Sequence, residues 1–176
     1  TVGILSAPEI SLTLNSLYRE EGAGVRLKGN WRVFCSGDRI IMNGGEIEND
    51  CKSGIILVPV KEERASFTLH SVTIGVDFHW QRLEDQVFRG CLKIINENGK
   101  LTAINIISLE EYLKSVISSE MSATSSEELL KAHAVISRGW LLAQAEKRNS
   151  NAGSSADYIS DFRSDSEIIK WYDRED

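Results

Sequence analysis

Glu120 stands in Ser119-Glu120-Met121, between two runs with helical spacing and with few other charges close by in sequence. A carboxylate shielded by Met121, Val116 and Ile117 is expected to hold its proton more tightly, because burial disfavours the charged form. Such a group can protonate a glycosidic oxygen at neutral pH. Ordinary glycosidases use two carboxylates. Glu110, Glu111, Glu127 and Glu128 are accounted for by helix capping and solvent, so no second one stands out. A lone Glu needs a substrate that brings its own nucleophile. The C6 hydroxyl of muramic acid in peptidoglycan can attack its own anomeric carbon. That lytic transglycosylation asks for one residue that is first acid and then base.

The other polar residues have plainer readings. Arg138 and Lys131 are candidates for orienting substrate or tuning charge, and Ser119 for touching it. An Arg on a helix also pairs readily with a carboxylate. His133, early in its helix, reads as packed or exposed. Trp140, Trp171 and Tyr172 read as core rather than sugar platforms. Ser118 and Ser119 have no base at a telling spacing, so no Ser-His-Asp arrangement follows. The three cysteines, Cys35, Cys51 and Cys91, are odd in number and far apart. They form no CxxC pair and read as small buried hydrophobes. A Cys35–Cys51 bridge is left open. His79, beside Trp80 in a strand pattern, reads as structural. No metal site and no cofactor are expected.

The elements that must position Glu120 are legible. Residues 1–107 read as β. "ISLTL" alternates, and Val72, Ile74, Val76, Phe78 and Trp80 share a face at period two. "GIILVPV", between Gly54 and Pro59, fits a buried or edge strand. "CLKIINENGKLTAINI" reads as a hairpin around Asn98-Gly99. Gly22, Gly24, Gly29, Gly37, Gly44 and Gly45 read as turns. From Ser108 the pattern becomes helical. Ser108 to Glu111 has the capping-box form, followed by Leu109, Leu113, Val116 and Ile117. Ser125 to Glu128 repeats it and opens a longer helix with the stripe Leu129, Ala132, Ile136, Trp140 and Ala143. Lys147 and Arg148 suit its C-terminal dipole. "NSNAGSSAD" reads as a linker, and Ser164 to Glu167 as the cap of a last helix.

Bulk properties narrow the class. The chain has 176 residues, 41% of them hydrophobic and 26% charged, as in globular proteins. A net charge of −6 argues against general nucleic-acid binding, which needs a basic surface. No run of about 18 apolar residues is present, so no transmembrane segment is expected. "TVGILSAPEI" does not have the form of a signal peptide.

Phe88-Arg89-Gly90, the hairpin after it, Leu109 to Leu113, Ser119-Glu120-Met121, and Leu129-Leu130-Lys131-Ala132-His133-Ala134 through Arg138 together resemble the SpoIID/LytB family, of the stage II sporulation protein D and the amidase enhancer. The resemblance covers about residues 88–145, and "TVGILSAPEISLTL" is similar to the family's opening strand. It implies a lytic transglycosylase acting on peptidoglycan glycan strands, with Glu120 as acid/base. It also implies an extracytoplasmic, envelope location. Some positions depart from the family pattern. Ser122 stands where Pro is common, which implies a less rigid turn. His133 stands in place of the helix Gln, and Gly139-Trp140 in place of Thr-Tyr. The family's C-terminal stretch rich in Gly-His-Gly and Gln is not in this sequence, nor is the His/Cys zinc cluster of some members. The resemblance therefore implies a fragment or shortened member with an incomplete cleft.

The expected fold is α+β: a β-rich part, 1–107, packed against helices of 108–176, with 18–86 as a candidate inserted subdomain. The expected function is peptidoglycan cleavage leaving 1,6-anhydro-muramic acid ends. Its rivals are a non-catalytic module, binding glycan or enhancing a cell-wall amidase, and a structural envelope protein in which Glu120 only caps a helix.

Overall fold

The computed structural model describes residues 1–151 except 23, 38, 44–46, 51–53, 62–63, 76–78, 98 and 123. It is α+β. Ten strands come first: β1 (Val2–Ala7), β2 (Glu9–Glu20), β3 (Arg26–Ser36), β4 (Arg39–Asn43), β5 (Ile47–Asp50), β6 (Ile55–Pro59), β7 (Ser66–Ile74), β8 (Arg82–Arg89), β9 (Cys91–Glu97) and β10 (Lys100–Ile106). Two helices follow, α1 (Leu109–Glu120) and α2 (Glu127–Asn151).

The strands form one antiparallel sheet in the order β1-β10-β9-β6-β2-β3-β4-β5, with β7 joined to β2 and to β8. The long β2 makes this possible. Leu12 to Leu14 pair with β7, whereas Tyr18 to Glu20 pair with β6. Strands from the segment 18–86 thus pair directly with strands outside it. β10 also approaches β2 and β3, so the sheet curls about one core. Alternation decides which side faces in: Ile10, Leu12 and Leu14 are fully buried. They meet Phe67, Phe88, Leu92, Ile94, Leu101 and Ala103 in one cluster, which Tyr112, Leu113 and Val116 of α1 cover. Phe67 stacks on Phe88 and takes the edge of Tyr18.

Of the two readings of β6, buried or edge, the structure takes the buried one, between β9 and β2. Several other expectations need correction. Gly29 is not a turn. It lies inside β3 with φ +90°, opposite Leu14, where the pairing with β2 shifts register. The strand drawn from Val72 toward Trp80 stops at Ile74. Gly75 follows with φ +69°, and the Trp80 ring occupies the space a Cβ would need. His79 sits in an exposed turn rather than a strand. Val76, Phe78, Gly44, Gly45, Cys51, Trp171, Tyr172 and the helix expected from Ser164 lie outside the described residues. The linker expected from Asn149 begins inside α2, which runs to Asn151.

The stripe expected on α2 faces outward. Leu129, Ile136 and Trp140 are exposed, as are Ala132 and Ala143. The inward side runs through Leu130, His133, Ala134 and Ser137 to buried Leu141. This helix is apolar on more than one side, so periodicity offered two stripes and packing against α1 selected one.

Candidate active site at the helix junction

The site is built on the β8–β9 corner. Gly90 has φ +88°, and a Cβ there would lie 2.6 Å from the Ile106 carbonyl oxygen. Only glycine meets both demands. Tyr18 donates its hydroxyl proton to the Gly90 carbonyl at 3.1 Å. Buried Asn105 donates to the carbonyls of Arg89, at 2.7 Å, and Cys91, at 3.2 Å. Phe88-Arg89-Gly90 is thus the clamp that fixes the end of β10, from which the chain enters α1.

Ser108 starts α1 as its N-cap. Its hydroxyl accepts the Glu111 N–H at 3.2 Å, satisfying one orphan donor of the first turn. Glu111 itself pairs with Lys114. Tyr112, Leu113, Ser115 and Val116 form the buried side. Tyr112, Val116 and Glu120 fall at i, i+4 and i+8, on one face. The first two are buried, and at the last turn the stripe reaches the surface. Glu120 ends the helix, and its side chain is 38% exposed. The expected apolar shield of Met121, Val116 and Ile117 does not close over it.

A carboxylate at a helix C-terminus faces the negative end of the dipole and gains from a nearby proton donor. α2 supplies the group: His133 Nε2 is 2.7 Å from Glu120 Oε2. Tyr112 lies close enough for the Glu120 charge to matter. Burial raises its phenol pKa first, and the negative charge of Glu120 adds to the rise.

The turn between the helices is held by hydroxyls. Ser122 Oγ accepts the Thr124 N–H at 3.2 Å and lies 2.7 Å from Thr124 Oγ1. The Ser122 carbonyl accepts the Ser125 N–H at 3.0 Å. Ser122 thus ties the turn by hydrogen bonds where a Pro would fix it by its ring. The second cap is one residue later than expected. Ser126, not Ser125, receives the Leu129 N–H, at 3.3 Å.

The other expected site residues are spread around the junction. Arg138 reaches back to Glu110 at 2.6 Å and ties α2 to the start of α1. Lys131 pairs with Glu127 within α2 at 2.6 Å. Ser119 donates its hydroxyl to the Val116 carbonyl at 2.9 Å. Glu120 therefore meets His133, and not Arg138, Lys131 or Ser119. Sequence spacing alone did not reveal His133 as the partner. Their meeting depends on how α1 and α2 cross.

A second polar cluster lies on the open face of the sheet. Thr13 Oγ1 is 2.7 Å from His70 Nε2, and His70 Nδ1 is 2.8 Å from Asp85 Oδ2. Asp85 also accepts the N–H of Ser71, a non-glycine residue at φ +56° in the β7 bulge. The hydrogen bond from His70 lowers the Asp85 pKa most, and that from Ser71 adds to it. The order hydroxyl, imidazole, carboxylate is that of a nucleophile relay. Its members lie on the paired strands β2, β7 and β8, with His70, Ser71 and Asp85 at the bulge in the β7–β8 pairing. It reads as a cross-strand network. Among the described residues no group of His, Cys, Asp and Glu side chains is arranged to hold a metal.

Residues 97–175 match the family model described as SpoIID, stage II sporulation protein. Over that segment the chain is similar to the SpoIID family. The matched residues, a little under half of the chain, include all of α1, the junction and α2, and so both Glu120 and His133. Searches of curated proteins and of solved structures returned no match. The SpoIID match suggests a sporulation-related function at the cell wall and association with the cell envelope. No helix among the described residues is long and apolar enough to cross a membrane.

Proposed function

We propose that this chain is a peptidoglycan lytic transglycosylase with Glu120 as its acid/base. One observation carries the reading: Glu120 ends α1 within the SpoIID segment, half-exposed and in contact with a single imidazole. Protonated Glu120 gives its proton to the oxygen leaving the muramic anomeric carbon. The C–O bond breaks through an oxocarbenium-like transition state. Glu120, now a carboxylate, takes the proton of the C6 hydroxyl as O6 bonds to that carbon. The products are a free hydroxyl on one fragment and a 1,6-anhydro ring on the other, and no water is consumed.

Arg138, Lys131 and Ser119 are secondary substrate contacts in this reading. Each now holds a protein partner and would exchange it for the glycan or its stem. The test is mass spectrometry of glycan strands, with and without stem peptides, after incubation with the native chain and with Glu120→Gln. Anhydro-ended products from the native chain alone support the proposal. Glycan binding without cleavage by either form would favour the binding or amidase-enhancing module instead.

A further inference from the structure

The contact between Glu120 and His133 decides which carboxylate oxygen is left to work. A nitrogen and an oxygen 2.7 Å apart must share a proton, because two lone pairs at that separation repel. Either atom could own it. If Nε2 is the bare acceptor, a neutral imidazole carries its proton on Nδ1. His133 Nδ1 is buried, with no hydrogen-bond partner among the described residues. A proton there would make a buried N–H without an acceptor, an arrangement folded chains avoid more strictly than an under-used acceptor. The opposite tautomer buries only a lone pair and turns an N–H toward the carboxylate.

We infer that His133 is a positioning residue: as the Nε2–H tautomer it donates to Glu120 Oε2 and leaves Oε1 as the oxygen that gives and takes the proton. This rests on the acid/base reading of Glu120. The supporting geometry is local. Among the described residues, the other basic side chains at the junction are held elsewhere, Arg138 by Glu110 and Lys131 by Glu127. Among the described residues, the basic neighbour left to orient Glu120 is His133. A carboxyl group pinned at one oxygen presents the other in a fixed direction, so its proton is aimed before substrate arrives.

The tautomer can be read directly. In the 15N-histidine-labelled chain, long-range 1H–15N spectra separate a protonated ring nitrogen from a bare one. His133→Gln assigns the signals of this residue among the three histidines. The expected result is a protonated Nε2 and a bare Nδ1, with the Nε2 signal moving in Glu120→Gln. A protonated Nδ1 with bare Nε2 would overturn the inference. The kinetic arm compares His133→Gln with His133→Leu on glycan strands. The Gln form should keep most of the turnover, while the Leu form loses about 10- to 100-fold in kcat with KM little changed. Native kcat in His133→Leu would also overturn it. If the native chain yields no anhydro ends, that result counts against the transglycosylase reading, and the spectra still decide the His133 tautomer.

Discussion

A Cβ on Gly90 would sit 2.6 Å from the carbonyl oxygen of Ile106, so the β8–β9 corner and the end of β10 are locked to one another. The helix that ends in Glu120 starts just beyond this lock. Gly90→Ala should therefore be strongly destabilising, by about 2–4 kcal/mol, from positive φ and a backbone clash together. Urea denaturation measures it. A loss under about 0.5 kcal/mol would mean that the corner relaxes freely.

The network around His70 has a pH signature. The pKa of Asp85 is lowered by His70 and by the Ser71 N–H. A carboxylate depressed in the folded state adds stability above its ordinary pKa, and that stability is lost as pH falls through the lowered value. Asp85→Asn should flatten this acid limb. Thermal melts across the acid range check it. An unchanged acid limb would show that the His70–Asp85 contact is not kept in solution.

Tyr112 reports on Glu120 from inside the helix. Its phenol pKa is raised by burial first and by the Glu120 charge second. Removing the charge in Glu120→Gln should lower the Tyr112 pKa yet leave it above the ordinary value, since burial remains. Ultraviolet titration against a Tyr112→Phe control reads the shift. A raised phenol adds stability below its ordinary pKa, and that stability is lost as pH rises through the folded value. No movement in Glu120→Gln would place the carboxylate farther from the ring.

Arg138 joins the two helices through Glu110, with 44% and 61% of the side chains exposed. Such a pair contributes little to stability, about 0.2–1 kcal/mol of coupling in a double-mutant cycle. If Arg138 also meets substrate, Arg138→Ala should raise KM by more than this small loss of stability explains, with Glu110→Ala as the control. Equal effects of the two variants on KM would reduce Arg138 to a strut.

Much of the scaffold could be read from the sequence because its signals are local. Ile10, Leu12 and Leu14 alternate and are buried; Asn96 Oδ1 accepts the Gly99 N–H in the hairpin turn, at 3.0 Å. The Ser108 cap is likewise a matter of neighbours a few residues apart. The failures are of another kind. α2 has apolar residues on two sides, and only contact with α1 and the core chose the side of Leu141 over that of Trp140. The strand after Val72 ended early because Gly75 turns and receives the Trp80 ring. Glu120 was visible as the odd carboxylate at a junction. Its partner was not, since His133 meets it through a helix crossing that no periodicity encodes.

The central claim is that the muramic C6 hydroxyl, not water, captures the anomeric carbon while Glu120 moves the proton. Cleavage of glycan strands in H2(18)O tests this most directly, with new chain ends read by mass spectrometry. The account predicts anhydro ends with no 18O, and no new ends with Glu120→Gln. Reducing ends labelled with 18O would contradict it, because they would mean that water attacks and that a second group activates it.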